Sequence, residues 1–262
     1  MSRTILITGS TDGIGKLTAK MLAAQGHQLI LHGRNPTKLA AAAAEIGEGI
    51  ESHVADLSRL SDVEAMAAEL IARHDHIDVL INNAGVFKTA HPRTPEGLDV
   101  RFVVNTIAPY VLTRRLLPII PETGRIVNLS SAAQAPVNPD AMAGRITLDD
   151  MGAYAQSKLA ITIWSRELAS ELPAGPMVVA VNPGSLLASK MVQEGFGVAG
   201  NDLRIGADIL CRAALDDSFA GASGKYFDND AGRFRPPNAA ALDSGHSRAV
   251  MQAIEELTAS LR

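Results

Sequence analysis

Thr4-Ile5-Leu6-Ile7-Thr8-Gly9-Ser10-Thr11-Asp12-Gly13-Ile14-Gly15 is the stretch that decides the fold. Its first four residues form a short run apolar on both faces, as a strand inside a parallel sheet requires. From Gly13 the period changes to that of a helix, with Ile14, Leu17, Met21 and Leu22 on one side and Gly26 as a stop. Between strand and helix the glycines follow the spacing G-x-x-x-G-x-G. That is neither G-x-G-x-x-G nor a phosphate loop ending in Gly-Lys-Ser/Thr. Glycines here allow a tight turn, close approach of backbone to a pyrophosphate, and close helix packing, with helix N–H groups facing an anion. A purely structural strand-to-helix turn would use the same glycines, so the segment alone leaves both readings open.

The alternation continues along the chain. Strands are expected at 28–32, 49–55, 78–81, 125–129, 177–181 and 224–227. Helices are expected from Pro36 through the alanine run to Ala44, from Ser61 as N-cap to Arg73, and over 95–117 and 152–172. Strands alternating with helices imply right-handed crossovers, hence one doubly wound α/β domain over residues 1–262. Ligands of such sheets bind at the carboxyl ends of the strands.

Composition removes several function classes. The chain has 262 residues, a formal net charge of −4 and 4% aromatics, which leaves neither a basic footprint nor stacking platforms for nucleic acid. Its single cysteine, Cys211, supports no internal disulfide and no cysteine zinc site. No apolar run reaches the length of about 18 residues needed to span a membrane. The lead Met1-Ser2-Arg3 has no signal-peptide character. A cytoplasmic protein is therefore expected. His74-Asp75-His76 reads as a charged turn rather than a metal cluster, and Cys211 and Trp164 read as packing residues.

Candidate binding residues gather at the expected ligand edge. At the end of the second strand, His32-Gly33-Arg34 lacks the acid that would bind ribose hydroxyls and offers a guanidinium suited to a 2′-phosphate, or else a solvated arginine. Lys16 is a second cation, or merely exposed. Asp56-Leu57 either holds an adenine edge or caps a turn before Ser58. Asn82-Asn83-Ala84-Gly85 by itself says only loop.

Tyr154-Ala155-Gln156-Ser157-Lys158 sets a phenol and an ammonium one helical turn apart on one face. A free tyrosine, with a pKa of about 10, is a poor acid or base near neutrality; a neighbouring cation would lower it. Such a tyrosine could serve as general acid for carbonyl reduction or general base for alcohol oxidation. The same pair would also suit an ordinary amphipathic helix. The strand before it ends at Ser130-Ser131, where a hydroxyl can support charge on a substrate oxygen. Asn105 lies in an apolar helix stretch and needs a polar partner if buried.

In order, TGxxxGxG (Thr8 to Gly15), Asp56-Leu57, NNAG (Asn82 to Gly85), Asn105, Ser131, YxxxK (Tyr154 to Lys158) and Pro183-Gly184 resemble the short-chain dehydrogenase/reductase family over residues 4–184. The resemblance implies a Rossmann-type doubly wound parallel sheet of about seven strands with helices on both faces. It implies hydride transfer between a nicotinamide cofactor and a carbonyl or alcohol, and Arg34 makes that cofactor NADP(H) rather than NAD. In it Tyr154 exchanges the proton, Lys158 lowers its pKa and binds the nicotinamide ribose, Ser131 polarises the substrate oxygen, and Asn105 supports a water leading to Lys158. Gly9, Ser10, Thr11, Asp12, Gly13, Ile14 and Gly15 would cradle the cofactor, with Arg34, Asp56 and Leu57 at its adenosine end. Asn83, Ala84 and Gly85 line the adenosine side, and Pro183 and Gly184 flank the nicotinamide. A homodimer or homotetramer would also follow.

Two departures stand out. Asp12 occupies a position where NADP-dependent relatives often carry a base, so the NADP expectation rests on Arg34. Ser131 and Tyr154 are 23 positions apart, more than is usual. The extra segment, 137–148, resembles the retinol-dehydrogenase-like branch, as do Ser157-Lys158-Leu159-Ala160 and Gly224-Lys225-Tyr226-Phe227. It is expected at the mouth of a substrate pocket. A lid is expected at 185–205, with Leu186, Leu187, Met191 and Phe196 giving it an apolar inner face. Arg233 to Pro237 read as an irregular segment edging the pocket. The rivals are a catalytically silent NADP-binding regulator, whose kind usually lacks the Tyr or Lys, and a sugar-nucleotide epimerase or dehydratase. The latter needs more chain than the 78 residues after Gly184.

Overall fold

β1 (Thr4–Ile7) is buried throughout and pairs in parallel with β2 (Gln28–Gly33) on one side and β4 (Val79–Asn82) on the other. The chain therefore leaves β1 in one direction through α1 (Gly13–Ala24), β2, α2 (Pro36–Ile46) and β3 (Glu51–Val54). It then crosses back through α3 (Leu60–Arg73) to β4. Successive strands beyond β4 are β5 (Arg125–Leu129), β6 (Met177–Asn182), β7 (Tyr226–Asp228) and β8 (Arg233–Arg235). The sheet order is β3-β2-β1-β4-β5-β6-β7-β8. Every pairing is parallel except β7 with β8. The computed structural model describes residues 2–188, 193, 197 and 199–260.

Helices cover both faces, because the central strands carry apolar side chains on both. Ala19, Leu22, Leu39 and Leu210 of α1, α2 and α8 (Leu203–Leu215) pack with Ile5, Ile7 and Val179 on one side. On the other, Val63, Leu112, Trp164 and Ile254 pack with Leu6, Leu80 and Val178. They come from α3, α5 (Ala108–Leu116), α7 (Asp150–Glu171) and α9 (Ser244–Ser260). Trp164 and Cys211 are packing residues, as expected.

Four local expectations change. The helix expected over 95–117 begins only at α4 (Val100–Phe102). Residues 94–98 close a turn through Gly97 at φ +85°, and Asp99 caps the helix by accepting from Arg101 N. The chain then passes through a π-helical turn, Val103–Ile107, into α5. Pro109 has no N–H for the carbonyl of Asn105 one α-turn back, which accounts for the departure from α geometry. Ser61 is not an N-cap: Arg59 holds that position without a side-chain bond, and Asp62 reaches back to Asp56 N instead.

The extra segment 137–148 does not stand at a pocket mouth. It forms α6 (Pro139–Met142), buries Val137, Ala141 and Met142, and docks on α9, where Val137 N donates to His246 Nε2 at 3.2 Å. Arg233–Arg235, expected to be irregular, is the eighth strand, so Tyr226 does not lie on the edge. The alternation there is too short to read as a strand; Phe234 is held by tertiary contact with Phe219 and Phe227, ring centroids 5.3 and 5.0 Å away. Phe219 is fully buried between them. Truncation of this anchor, Phe219→Ala, is expected to lower unfolding free energy by about 3–5 kcal/mol. Urea denaturation checks this, and a loss below about 1 kcal/mol would remove the ring as the hairpin's anchor.

Candidate active site

The turn after β1 and the loop after β4 meet closely enough to exclude side chains. A Cβ on Gly9 would lie 2.8 Å from Ala84 Cα, and one on Gly15 would lie 2.3 Å from Asn83 Nδ2. Hydrogen bonds fasten the same contact: Thr8 Oγ1 accepts from Asn83 N and Ala84 N at 3.0 and 3.1 Å. Asn83 Nδ2 donates to the carbonyls of Thr8 and Gly9, both at 2.9 Å. Gly33 similarly gives way to Thr11, whose Cγ2 would meet a Cβ at 2.4 Å. These three glycines serve packing of protein on protein.

Beside this contact, the carboxyl ends of the parallel strands open into a cleft of about 840 Å³. The structure brings nearly all the expected residues to its wall. They include Gly9, Thr11, Asp12, Gly13, Ile14 and Gly15 of the turn, Arg34, Asp56 and Leu57, and Asn83, Ala84 and Gly85. Ser131, Tyr154, Lys158, Pro183 and Gly184 complete them. Ser10 and Asn105 do not reach it. Ser10 is fully buried, with Oγ donating to the carbonyl of His32 at 3.2 Å.

Asp12 caps α1 by accepting from Gly13 N at 2.7 Å, which leaves the next first-turn amides, Ile14 and Gly15, without helical acceptors at the cleft wall. Arg34 and Lys38 are exposed on the same wall, and among the described residues no carboxylate pairs with either. Lys16 is taken by Glu45. Asp56 has the turn role, with Oδ1 accepting from Ser58 N and Oγ at 3.0 and 2.8 Å. First-turn amides and the two exposed cations after β2 fit the phosphates of a dinucleotide.

His32, which the sequence did not single out, ties three strand ends together. Its Nδ1 accepts from Gly9 N at 3.1 Å and its Nε2 therefore carries the proton donated to the carbonyl of Ala55, also at 3.1 Å. Burial lowers its pKa to about 4, so the ring is neutral across the physiological range.

Near the other end of the cleft, β5 runs out at Ser130-Ser131 opposite α7, which starts where Asp149 accepts from Gly152 N. Tyr154 is half-buried beside Ser131 on the cleft wall. Lys158 is buried; its Nζ donates to the carbonyl of Leu129 at 2.7 Å and stands 5.7 Å from the Tyr154 ring centre. Burial lowers the Lys158 pKa to about 8. Burial also raises Tyr154, with the Ser131 side chain pulling the other way. The phenol is raised rather than lowered here, because desolvation dominates. Phe87 packs edge-on against Tyr154 at 5.1 Å.

Asn105 is fully buried and satisfied. Its Oδ1 accepts from Val86 N at 2.8 Å, and its Nδ2 donates to Val86 O and Ser157 Oγ, both at 3.0 Å. The amide thus clamps the loop after β4 to α7, beside Lys158. Of the lid, Leu186 is exposed at φ +51° and Leu187 is buried, while Met191 and Phe196 lie outside the described residues. Arg233 to Pro237 stay off the cleft wall. Among the described residues no His, Cys, Asp or Glu group could hold a metal ion, and no helix is long and apolar enough to cross a membrane.

Residues 3–196 match the short chain dehydrogenase family. Human retinol dehydrogenase 13 is 34% identical over 258 residues, covering 86% of this chain and 76% of that protein. Among solved structures, an uncharacterized protein from Mycobacterium paratuberculosis superposes with a TM-score of 0.81 at 30% identity, over 98% of this chain and 93% of the other. A Shigella flexneri chain described as a short chain dehydrogenase, complexed with NADP, gives 0.69 at 28% identity over 87% and 97%. With its glycine turn after the first strand and its Tyr154–Lys158 pair, the protein belongs to the short-chain dehydrogenase/reductase family, in its retinol-dehydrogenase-like branch.

Proposed function

We propose that the protein is a one-domain, NADP(H)-dependent oxidoreductase interconverting a hydrophobic carbonyl compound and its alcohol. The observation that carries this reading is the convergence of Ser131, Tyr154 and Lys158 at one end of a cleft with amide and cationic phosphate donors at the other. When bound, NADPH supplies the hydride and, once oxidised, a positive ring. Gly13, Ile14 and Gly15 would hold its pyrophosphate and Arg34, with Lys38, its 2′-phosphate. Pro183 and Gly184 would back the nicotinamide. A 2′-phosphate is preferred to a bare ribose because the end of β2 offers cations and no acid.

The chain's own chemistry is proton transfer. In reduction, Tyr154 donates its phenolic proton to the carbonyl oxygen; its raised pKa keeps that proton in place at neutrality. Ser131 hydrogen-bonds the same oxygen and supports the charge that develops there. Lys158 brings a cation to the phenol as the proton leaves. Oxidation of an alcohol runs these steps backwards and needs the phenolate. Val86, Phe87, Met151 and Leu186 give the cleft apolar walls, which supports a hydrophobic substrate. Asn105 would act by holding Val86 and α7 in register.

Tyr154→Phe is expected to cut kcat for NADPH-linked carbonyl reduction by about 10²-fold or more. NADPH affinity, followed by fluorescence titration, should change little, and retained turnover would overturn the assignment. Arg34→Ala is expected to weaken NADPH about 10- to 100-fold. NADH affinity should barely move; equal losses for both would remove the 2′-phosphate role. With pH, kcat/KM for reduction should stay level through neutrality and fall above about 8 as Lys158 loses its proton. A reduction rate unchanged to pH 10 would contradict the Lys158 role.

A further inference from the structure

Sheet hydrogen bonding along β5 stops at Ser130, whose N–H donates to Val181 O at 2.9 Å. Ser131 follows, beyond the ladder, yet its carbonyl oxygen accepts two side-chain hydrogen bonds. Tyr226 Oη donates to it at 3.0 Å from β7, 95 residues further along, and Gln134 Nε2 donates at 2.9 Å. The Gln134 amide also donates to Ser130 Oγ at 3.3 Å. That hydroxyl in turn donates to Lys158 O and bonds Thr162 Oγ1, both on α7. From behind, Asn238 fixes Gln134: its N–H donates to Gln134 Oε1 at 3.0 Å and its Nδ2 to Gln134 O at 3.3 Å.

We propose that Tyr226 and Gln134 are positioning residues for Ser131, standing in for the ladder bond that β5 no longer supplies. A serine hydroxyl is one rotatable bond from the backbone, so holding the Ser131 carbonyl holds the peptide plane that aims Oγ. Ala133 N donates to that Oγ at 3.1 Å, occupying an acceptor site and leaving the hydroxyl proton to be given to an oxygen acceptor. Tyr226 is buried, and burial together with Asp228 and Asp230 holds its phenol above the ordinary tyrosine value, so it remains a donor throughout the working range. Neither side chain stands on the cleft wall. Both act through Ser131, and the inference rests on the role given to Ser131 above.

The test is a mutant cycle in NADPH-linked reduction of para-nitrobenzaldehyde. Tyr226→Phe and Gln134→Leu are each expected to lower kcat about tenfold, with KM for NADPH and the thermal unfolding midpoint near wild type. In a Ser131→Ala background neither should lower kcat further, since both act through the missing hydroxyl. Losses that persist in that background would overturn the proposal. A crystal structure of the Tyr226→Phe/Gln134→Leu double variant gives a readout free of turnover. A turned Ser131 carbonyl supports the clamp, and an unmoved one refutes it. Full kcat in Ser131→Ala alone would instead reject the catalytic role of Ser131, and the crystal structure would then decide the clamp by itself.

Discussion

The approach of the turn after β1 to the loop after β4 is the constraint on which the site depends. At this point the chain has run outward from β1 on one side of the sheet and resumes on the other at β4, so the two carboxyl ends lie side by side with loops leaving in opposite directions. Left to ordinary side chains, those loops would splay. Here Gly9 and Gly15 remove the atoms that would collide, and Thr8 and Asn83 tie the backbones with four hydrogen bonds. The helix N-terminus and the strand ends are thereby brought to one cleft. His32 extends the fastening to β3 through a neutral ring that would lose its acceptor for Gly9 N if protonated.

Desolvation, rather than the proximity of charges, governs the titratable groups of the site. Lys158 falls to about 8 while Tyr154 rises, so the usual closeness of their two values is pulled apart. The phenol thereby keeps its proton, a suitable poise for an acid, and the ammonium is the group that titrates nearest neutrality. The buried ammonium is compensated by one local hydrogen bond, to the Leu129 carbonyl. A buried polar group left without such a bond would cost about 1–3 kcal/mol. The same need explains why α7 buries Ser157, Lys158, Thr162 and Ser165 among apolar neighbours.

The C-terminal third supports the site from behind. The extra residues after Ser131 build α6 and a docking surface for α9, and the stretch just before α6 carries Gln134 to Ser131 and Asn238. A loop that follows a catalytic strand is ordinarily its most mobile neighbour. This one is held at four places, by Tyr226, Asn238, His246 and Gln156, the last accepting from Asn138 N at 2.9 Å.

Local pattern alone determined the doubly wound sheet, the glycine turn and the Tyr154–Lys158 pair. Strand and helix periods, turn glycines and an i, i+4 spacing express geometry within a few residues of chain. The pattern failed where long-range contact overrode local preference: at the late start of the helix before Asn105, at the strand Arg233–Arg235, and at the segment 137–148. Three tyrosines look alike in composition, and spacing distinguished only Tyr154. That Tyr226 reaches the carbonyl of Ser131, that His32 is neutral, and that burial rather than Lys158 sets the phenol's pKa were decided by the tertiary structure. Such partners are separated by tens of residues, and desolvation depends on everything packed around a group, so neither is written in the residues next to it.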